Sequence, residues 1–502
     1  MSPYLSSHSP QSEMDKEHVS RIDVAAPYLD ADPFTLPTST DPFTITTSNG
    51  FMPTTRPIVE LPEAFRPLTA LLEEMPIVKA DGTPGLLAEY KLGARIDQGD
   101  LPDLIDEIDK LKASDGAPDL HLVSAAFRDY AFLASAYLLE PCWETWVSTK
   151  QSYGFGRQVL PKCIAGPLVK TAKLLDIPPF MAYAAAYTLY NYRLADLSLG
   201  HTPYNNLRLI RAFERGLDPA SSEAGFVLTH VDMVQHSAGL VRGAVDLLRA
   251  ASTPSRPAAI AALDLLLETM TAVDASMETM WSHSKPKEYL NYRTFIFGIT
   301  NQSMFPSGVV YEGQSDDQPQ YFRGESGAND SMIPLLDALL QIPMPANPLT
   351  EILKDFRHYR PRPHREFLAA VREQAAVLNI RAFCCTGAAV DEHDIALTTR
   401  YLRLLDHVRA FRWRHWLFAR EYIIKHSAHP TATGGSPIIR WLPNQLAAVM
   451  ELMEEVWAGI PDSAKNDPAI LPRGVGEMME TVQEQRVKLA REVEKFCLER
   501  GQ

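Results

Sequence analysis

The stretch AFRWRHWLFAREYII, residues 410–424, sets a single imidazole in an apolar helical stripe. Leu404, Val408, Phe411, His415, Phe418 and Tyr422 recur at intervals of three and four, which places them on one helix face with His415 as its polar member. Such a histidine either satisfies itself on a backbone carbonyl or offers a nitrogen lone pair to something bound. Arg412 lies one turn earlier on a neighbouring line, and Asp337 closes the apolar run SMIPLLD. A neutral imidazole for iron, apolar walls for a porphyrin, and a carboxylate-held cation for a propionate are together what a haem requires.

Three further residues could do chemistry. His230 in GFVLTHVDMV shares a face with Val227 and Val234, and spacing alone leaves core and ligand roles open. His364 in YRPRPHREFL follows prolines, which predicts a helix start and a structural, capping or surface role. Arg293 in KPKEYLNYRTFIFGI stands among aromatics. At the surface it would stack or snorkel, whereas in the interior it would need an anion, most naturally a substrate carboxylate. The glycines of FRGESGANDS and TATGGSP are turn signals. No Walker loop, Rossmann fingerprint, HExxH or GxSxG elbow occurs, so chemistry here calls for a bound cofactor.

Composition narrows the partners. A formal charge of −14 over 502 residues opposes a nucleic-acid footprint, and the basic cluster Arg409, Arg412, Arg414 and Arg420 calls for a smaller anion. Five cysteines without a CxxC pair suggest neither zinc nor disulfides, hence a reducing compartment. The opening MSPYLSSHSPQSEMDKE lacks a signal-peptide pattern, and no run reaches the roughly 18 apolar residues of a membrane span. A cytoplasmic protein without a membrane partner is expected.

The elements that must position these residues are helices. Residues 1–60, rich in Ser, Thr, Pro and Asp, read as a disordered or surface-hugging arm. Helical patterns follow at DLPDLIDEIDKLKA, DLHLVSAAFRDYAFLASAYLL, AGPLVKTAKLLD, PPFMAYAAAYTLYNYRLADL, GFVLTHVDMVQHSAGLVRGAVDLLRAA and AAIAALDLLLETMTAVDASMETMW. RGLDPASSEAG, residues 215–225, marks a boundary between a small helical domain, 61–220, and a large one, 221–502. The polar, turn-rich block 308–331 reads as a functional loop. The fold class is all-α with two domains.

Five blocks carry a resemblance: LPKCIAGPLVKTAKLLDIPP, GVVYEGQSDDQPQYFRGESGANDS, PRPHREFL at 361–368, RWRHWLFAREYII and TGGSP. In this order they resemble the indoleamine 2,3-dioxygenase family of helical haem enzymes, over roughly residues 60–455. The resemblance implies haem b with O2 as co-substrate, and cleavage of the indole C2–C3 bond of L-tryptophan to N-formylkynurenine by a monomer. It implies His415 as the proximal iron ligand, Arg412 as the propionate partner supported by Asp337, and Arg293, five residues before Gly298, as the carboxylate anchor. His230 falls where animal members carry Ser and related tryptophan dioxygenases use a distal His for the indole N–H. Ser326 and Gly327 match the small residues of a GGSA loop on the reacting side. Thr433, Gly434 and Gly435 match a loop that closes the pocket, and Tyr183, Phe226 and Thr433 join Arg293 as expected substrate contacts. Three departures stand out: Glu325 where Gly is usual, one extra residue in PPFMAYAAAYTLYNY, and Thr294 after Arg293. They keep open a member acting on another indole, and beside it a non-enzymatic haem-binding or sensing protein.

Overall fold

The computed structural model describes residues 26–500 except 202, 217, 345–347, 386–391, 428, 430, 468–469 and 472–473. Helix α1 (Leu120–Thr149) is apolar on all sides, because it threads the core; Asp119 caps it by accepting from the N–H groups of His121 and Leu122. Its length and composition would let it cross a membrane, but 94% of that apolar window is buried inside the protein. The core therefore accounts for its apolarity. Around it come α2 (Lys162–Leu175), α3 (Ser222–Val234), α4 (Ser237–Ser252), α5 (Arg256–Glu278), α6 (Tyr289–Arg293), α7 (Met332–Leu339), α8 (Arg362–Leu378), α9 (Glu392–Phe418), α10 (Ile438–Ala458) and α11 (Gly474–Arg500). Helix α5 packs on α4 and α9, α9 on α10, and α10 on α11, while α7 and α8 close against α4. The all-α expectation holds, and one connected apolar core includes Phe43, Phe127, Leu266, Val408 and Met450.

Short strands interrupt the helices: β1 (Val159–Leu160), β2 (Tyr192–Leu194), β3 (Leu207–Leu209), β4 (Val309–Tyr311) and β5 (Pro319–Gln320). β1 runs parallel to β4, which pairs antiparallel with β5, so the block 308–331 begins as a strand. The helix expected over PPFMAYAAAYTLYNYRLADL is not found. Its middle forms one π turn, Tyr183–Tyr187, and its end is β2, paired to β3 with Tyr192 opposite Leu209. Asn206 fixes that hairpin by donating to the carbonyls of Asp196 and Gly200, each at 2.8 Å. A π turn carries one residue more than an α turn.

The long pattern 225–251 divides into α3 and α4, and the N-terminal segment uses the break. Phe51 N donates to Ser237 Oγ at 2.8 Å. Gly50 adopts φ +57°, and any Cβ there would overlap Ala238 N. Phe43 and Phe51 are buried and meet the ring of His364 edge-on, with centroids 5.5 and 4.9 Å away. The surface or capping alternative for His364 is thereby corrected. It is buried, its Nδ1 lies 3.0 Å from Ser331 Oγ, and burial pushes its pKa down to about 3.

The arginine cluster on α9 is also corrected, since carboxylates of the protein answer most of it. Arg409 pairs with Asp406 and Gln485, Arg414 with Asp274 and Glu278, and Arg420 with Glu421 and Glu492. Glu492 also accepts from Trp416 Nε1 at 2.7 Å, so α11 braces the helix that carries His415. All five cysteines are free. Removal of the ring that seals His364, Phe51→Ala, is expected to cost about 3–5 kcal/mol, read as a lowered denaturation midpoint.

Candidate active site

His415 lies in the last turn of α9, which continues as a π-helical segment, Ala419–Ile424. It stands where two cavities meet, and both are lined by Gly327, Asp330, Phe411, His415 and Leu442. Its ring makes no hydrogen bond among the described residues, and the backbone-carbonyl role is not taken. Burial, then the neighbouring His230 and Arg412, push its pKa down to about 4. At neutral pH it is an uncharged imidazole with a lone pair to give.

The smaller cavity is cationic. Arg412 Nη2 donates to both Asp337 oxygens, at 2.8 and 2.7 Å, and Nη1 donates to Gln445 O at 3.3 Å. Burial raises the Asp337 carboxyl against the pull of Arg412, so the pair holds a guanidinium in place at some cost. Arg357, Arg360 and Arg372 line the same space. Sequence reasoning missed these three, although Arg357 and Arg360 precede the proline stretch at a spacing of three. Arg360 donates to Ala328 O at 3.0 Å, and burial lowers its pKa to about 10. Four guanidiniums face Asp330 and Asp337 here, an excess that suits a group with two carboxylates.

The larger cavity is mostly apolar, with Met233, Met277, Met280 and Tyr289 in its wall. Tyr289 was also missed, though it stands four residues before Arg293. His230 Nδ1 is 2.9 Å from Phe226 O; a carbonyl only accepts, so this nitrogen carries the hydrogen and Nε2 is left as acceptor. Burial lowers the His230 pKa, which keeps the ring neutral. Its Nε2 is the nearest atom to any Cβ added at Gly327, 3.7 Å away. Phe226 tilts against His230 at 4.8 Å, and Tyr183 meets it edge-on at 5.8 Å. The Tyr183 hydroxyl is buried without a hydrogen-bond partner.

Three irregular segments cross above this cavity. Gly298 N donates to Thr433 O at 2.9 Å, Ile299 N to Phe322 O at 2.7 Å, and Thr433 Oγ1 to Glu325 O at 2.7 Å. Ser326 turns inward to accept from Ala328 N at 3.3 Å. Arg293 is fully buried, donates to Thr431 O at 3.1 Å and lies 4.7 Å over the Phe297 ring, but its Nε and Nη1 have no partner. His230, Ser326, Gly327, Tyr183, Phe226, Thr433 and His415 thus line the larger cavity, and Arg412 and Asp337 the smaller. Arg293 lines neither; it lies beside the Tyr289 side chain, which does.

A neutral unbonded imidazole, apolar walls and a cluster of guanidiniums fit a haem with its propionates. The sequence profile of the indoleamine 2,3-dioxygenase family matches residues 39–455. The chain belongs to the indoleamine 2,3-dioxygenase family. It is a haem-dependent dioxygenase, an oxidoreductase acting on an indole, so the non-enzymatic alternative is set aside. It is 29% identical over 353 residues to the indoleamine 2,3-dioxygenase of Saccharomyces cerevisiae, covering 65% of this chain and 72% of that protein. It is 24% identical over 381 residues to indoleamine 2,3-dioxygenase 1 of Mus musculus, covering 75% and 83%. It is also 24% identical over 269 residues to the 6-hydroxytryptophan 2,3-dioxygenase of Fusarium equiseti, covering 53% and 62%. Helix α11, with Glu492, lies beyond the matched range.

The crossing of the three segments depends on glycine. A Cβ on Gly324 would overlap Gly298 N and reach Ile296 O at 2.5 Å and Thr433 O at 2.6 Å. Gly324→Ala is expected to destabilise this dioxygenase by about 1–3 kcal/mol, measured as a lowered melting temperature of the haem-loaded protein.

Proposed function

We propose that this chain opens the indole ring of L-tryptophan to give N-formylkynurenine, with haem b bound between the two cavities. The observation that carries the reading is His415, neutral and unbonded at the junction of an apolar cavity with an arginine-lined one. His415 Nε2 or Nδ1 gives its lone pair to the iron, and Arg412, steadied by Asp337, faces a propionate together with Arg357, Arg360 and Arg372. Bound there, the haem supplies ferrous iron that activates O2 for addition across the indole C2=C3 bond.

The rest falls to side chains that bind and orient. Phe226 and Tyr183 flank the indole ring, and His230 Nε2 accepts the indole N–H. Ser326 and Gly327 leave room beside the reacting bond, and Thr433 holds the closing loop to the backbone of Glu325. Arg293 takes the substrate carboxylate through its free Nε and Nη1, which requires Tyr289 to move aside. A related indole as substrate remains the second reading, favoured by Glu325 in the cavity wall and by the likeness to a 6-hydroxytryptophan 2,3-dioxygenase. We place the enzyme in the cytoplasm as a monomer without nucleic-acid or membrane partners, in keeping with its charge of −14 and free cysteines.

Two substitutions test the reading. His415→Ala is expected to abolish stable haem binding, whereas Arg412→Ala weakens retention less, because water replaces part of a rim contact. Haem content after gel filtration ranks them, and full occupancy with an unchanged ferrous spectrum in His415→Ala would remove the ligand assignment. Arg293→Ala is expected to raise the KM for tryptophan about tenfold or more with haem content intact. Tryptamine, which lacks the carboxylate, should respond far less, and equal loss on both would give Arg293 to the fold.

A further inference from the structure

Glu325 is 3% exposed, and its carboxyl forms no hydrogen bond or ion pair among the described residues. It lines the larger cavity, and its charge acts on Tyr183 and Tyr289, which line the same cavity, and on Tyr187. Such a group is costly to bury unless something answers it. A cation with unanswered donors shares a neighbour with it. Arg293 keeps two free donors, and Tyr289 feels both Arg293 and Glu325. Both are tied to the same short segment, Arg293 to Thr431 O and Glu325 O to Thr433 Oγ1. An anion receptor and a cation receptor so placed complement a zwitterion, not a plain indole.

We propose that Glu325 is the receptor for the substrate's α-ammonium group and that it selects free amino acids over indoles lacking that ammonium. This deepens the tryptophan reading and rests on Arg293 as the carboxylate anchor. The carboxylate needs one cationic partner and room for it, and the cavity provides the room.

Protonation follows from the geometry. Burial pushes Glu325 up to about 8, so the empty site holds a neutral carboxyl at pH 7. The groups facing it are Tyr183, Tyr187 and Tyr289, all raised and neutral, His230, lowered and neutral, Asp330, raised but bonded to the N–H groups of Met332 and Ile333, and Arg293 beside Tyr289. An arriving ammonium favours the ionised form, and one proton leaves to solvent. Affinity for an ammonium ligand therefore rises with pH until Glu325 is ionised in the free protein as well, at about 8.

The test uses the haem-loaded full chain, wild type and Glu325→Gln, with Glu325→Gly as a variant that restores the small residue usual in the resembled loop. L-tryptophan, tryptamine and indole-3-propionate are titrated by the change they cause in haem absorbance, and their KM and kcat are measured. Glu325→Gln is expected to weaken tryptophan and tryptamine about tenfold or more and to flatten the pH slope. Indole-3-propionate should bind as well or better, with haem content unchanged. Equal change on all three ligands, or no change on any, would overturn the assignment. Lack of tryptophan turnover by the wild type sinks the proposed reaction instead. The titration then still decides for Glu325, since weakening of the ammonium ligands alone supports it and wild-type indifference to the ammonium refutes it.

Discussion

Gly298, Gly324 and Thr433 bring three chain segments into backbone contact where no side chain fits between them. That closeness sets the distal side of the site. From it Arg293 hangs on one segment, Glu325, Ser326 and Gly327 on the second, and Thr433 on the third. None of the three segments is a regular helix throughout, so their relative positions come from interstrand-type hydrogen bonds and from the absence of two Cβ atoms. A shift of one segment would move a charge receptor and a small-residue wall together.

The proximal side obeys a different constraint. His415 is placed by a long regular helix whose outer face is bound by ion pairs to α5 and α11. Those pairs are largely buried apart from Glu278, and together with the Trp416 hydrogen bond they fix the rotation of α9 about its axis. The imidazole then points at the cavity junction without needing a hydrogen bond of its own. The cationic cavity repeats the pattern, with the burial of Asp337 offset by its hold on one guanidinium.

The sequence made part of this legible. Helical periodicity found α9 and the inward face with His415, since that face depends on near neighbours only. Arg412, Asp337 and Arg293 were legible as charges in need of partners, their positions in a site came with the resemblance, and Asp337 on α7 does meet Arg412 on α9. The expectations that failed depended on distant partners. His364 does stand at a helix start, but a surface role stayed open for it because nothing local announces that Phe43 and Phe51 roof it over. Residues 178–197 looked helical because β2 exists only by pairing with β3. Arg357, Arg360 and Arg372 carry no local mark of a shared role, and only the fold aims them into one cavity. The arm expected over residues 1–60 rested on composition, and within it Phe43, Ile45 and Phe51 sink into the core while Phe34 stays exposed.

Two walls of the larger cavity contain π-helical backbone, Tyr183–Tyr187 and Ala419–Ile424. In each, one residue more is wound into a turn than an α-helix holds, which offsets the phase of the downstream residues by about 100°. Along the second, Ala419, Tyr422 and Ile423 reach the cavity and continue the stripe that Phe411, His415 and Phe418 begin on α9. Chain length is thus a variable of the binding site alongside side-chain identity. A single-residue deletion in either segment would leave composition almost untouched and still turn the downstream wall away from the ligand.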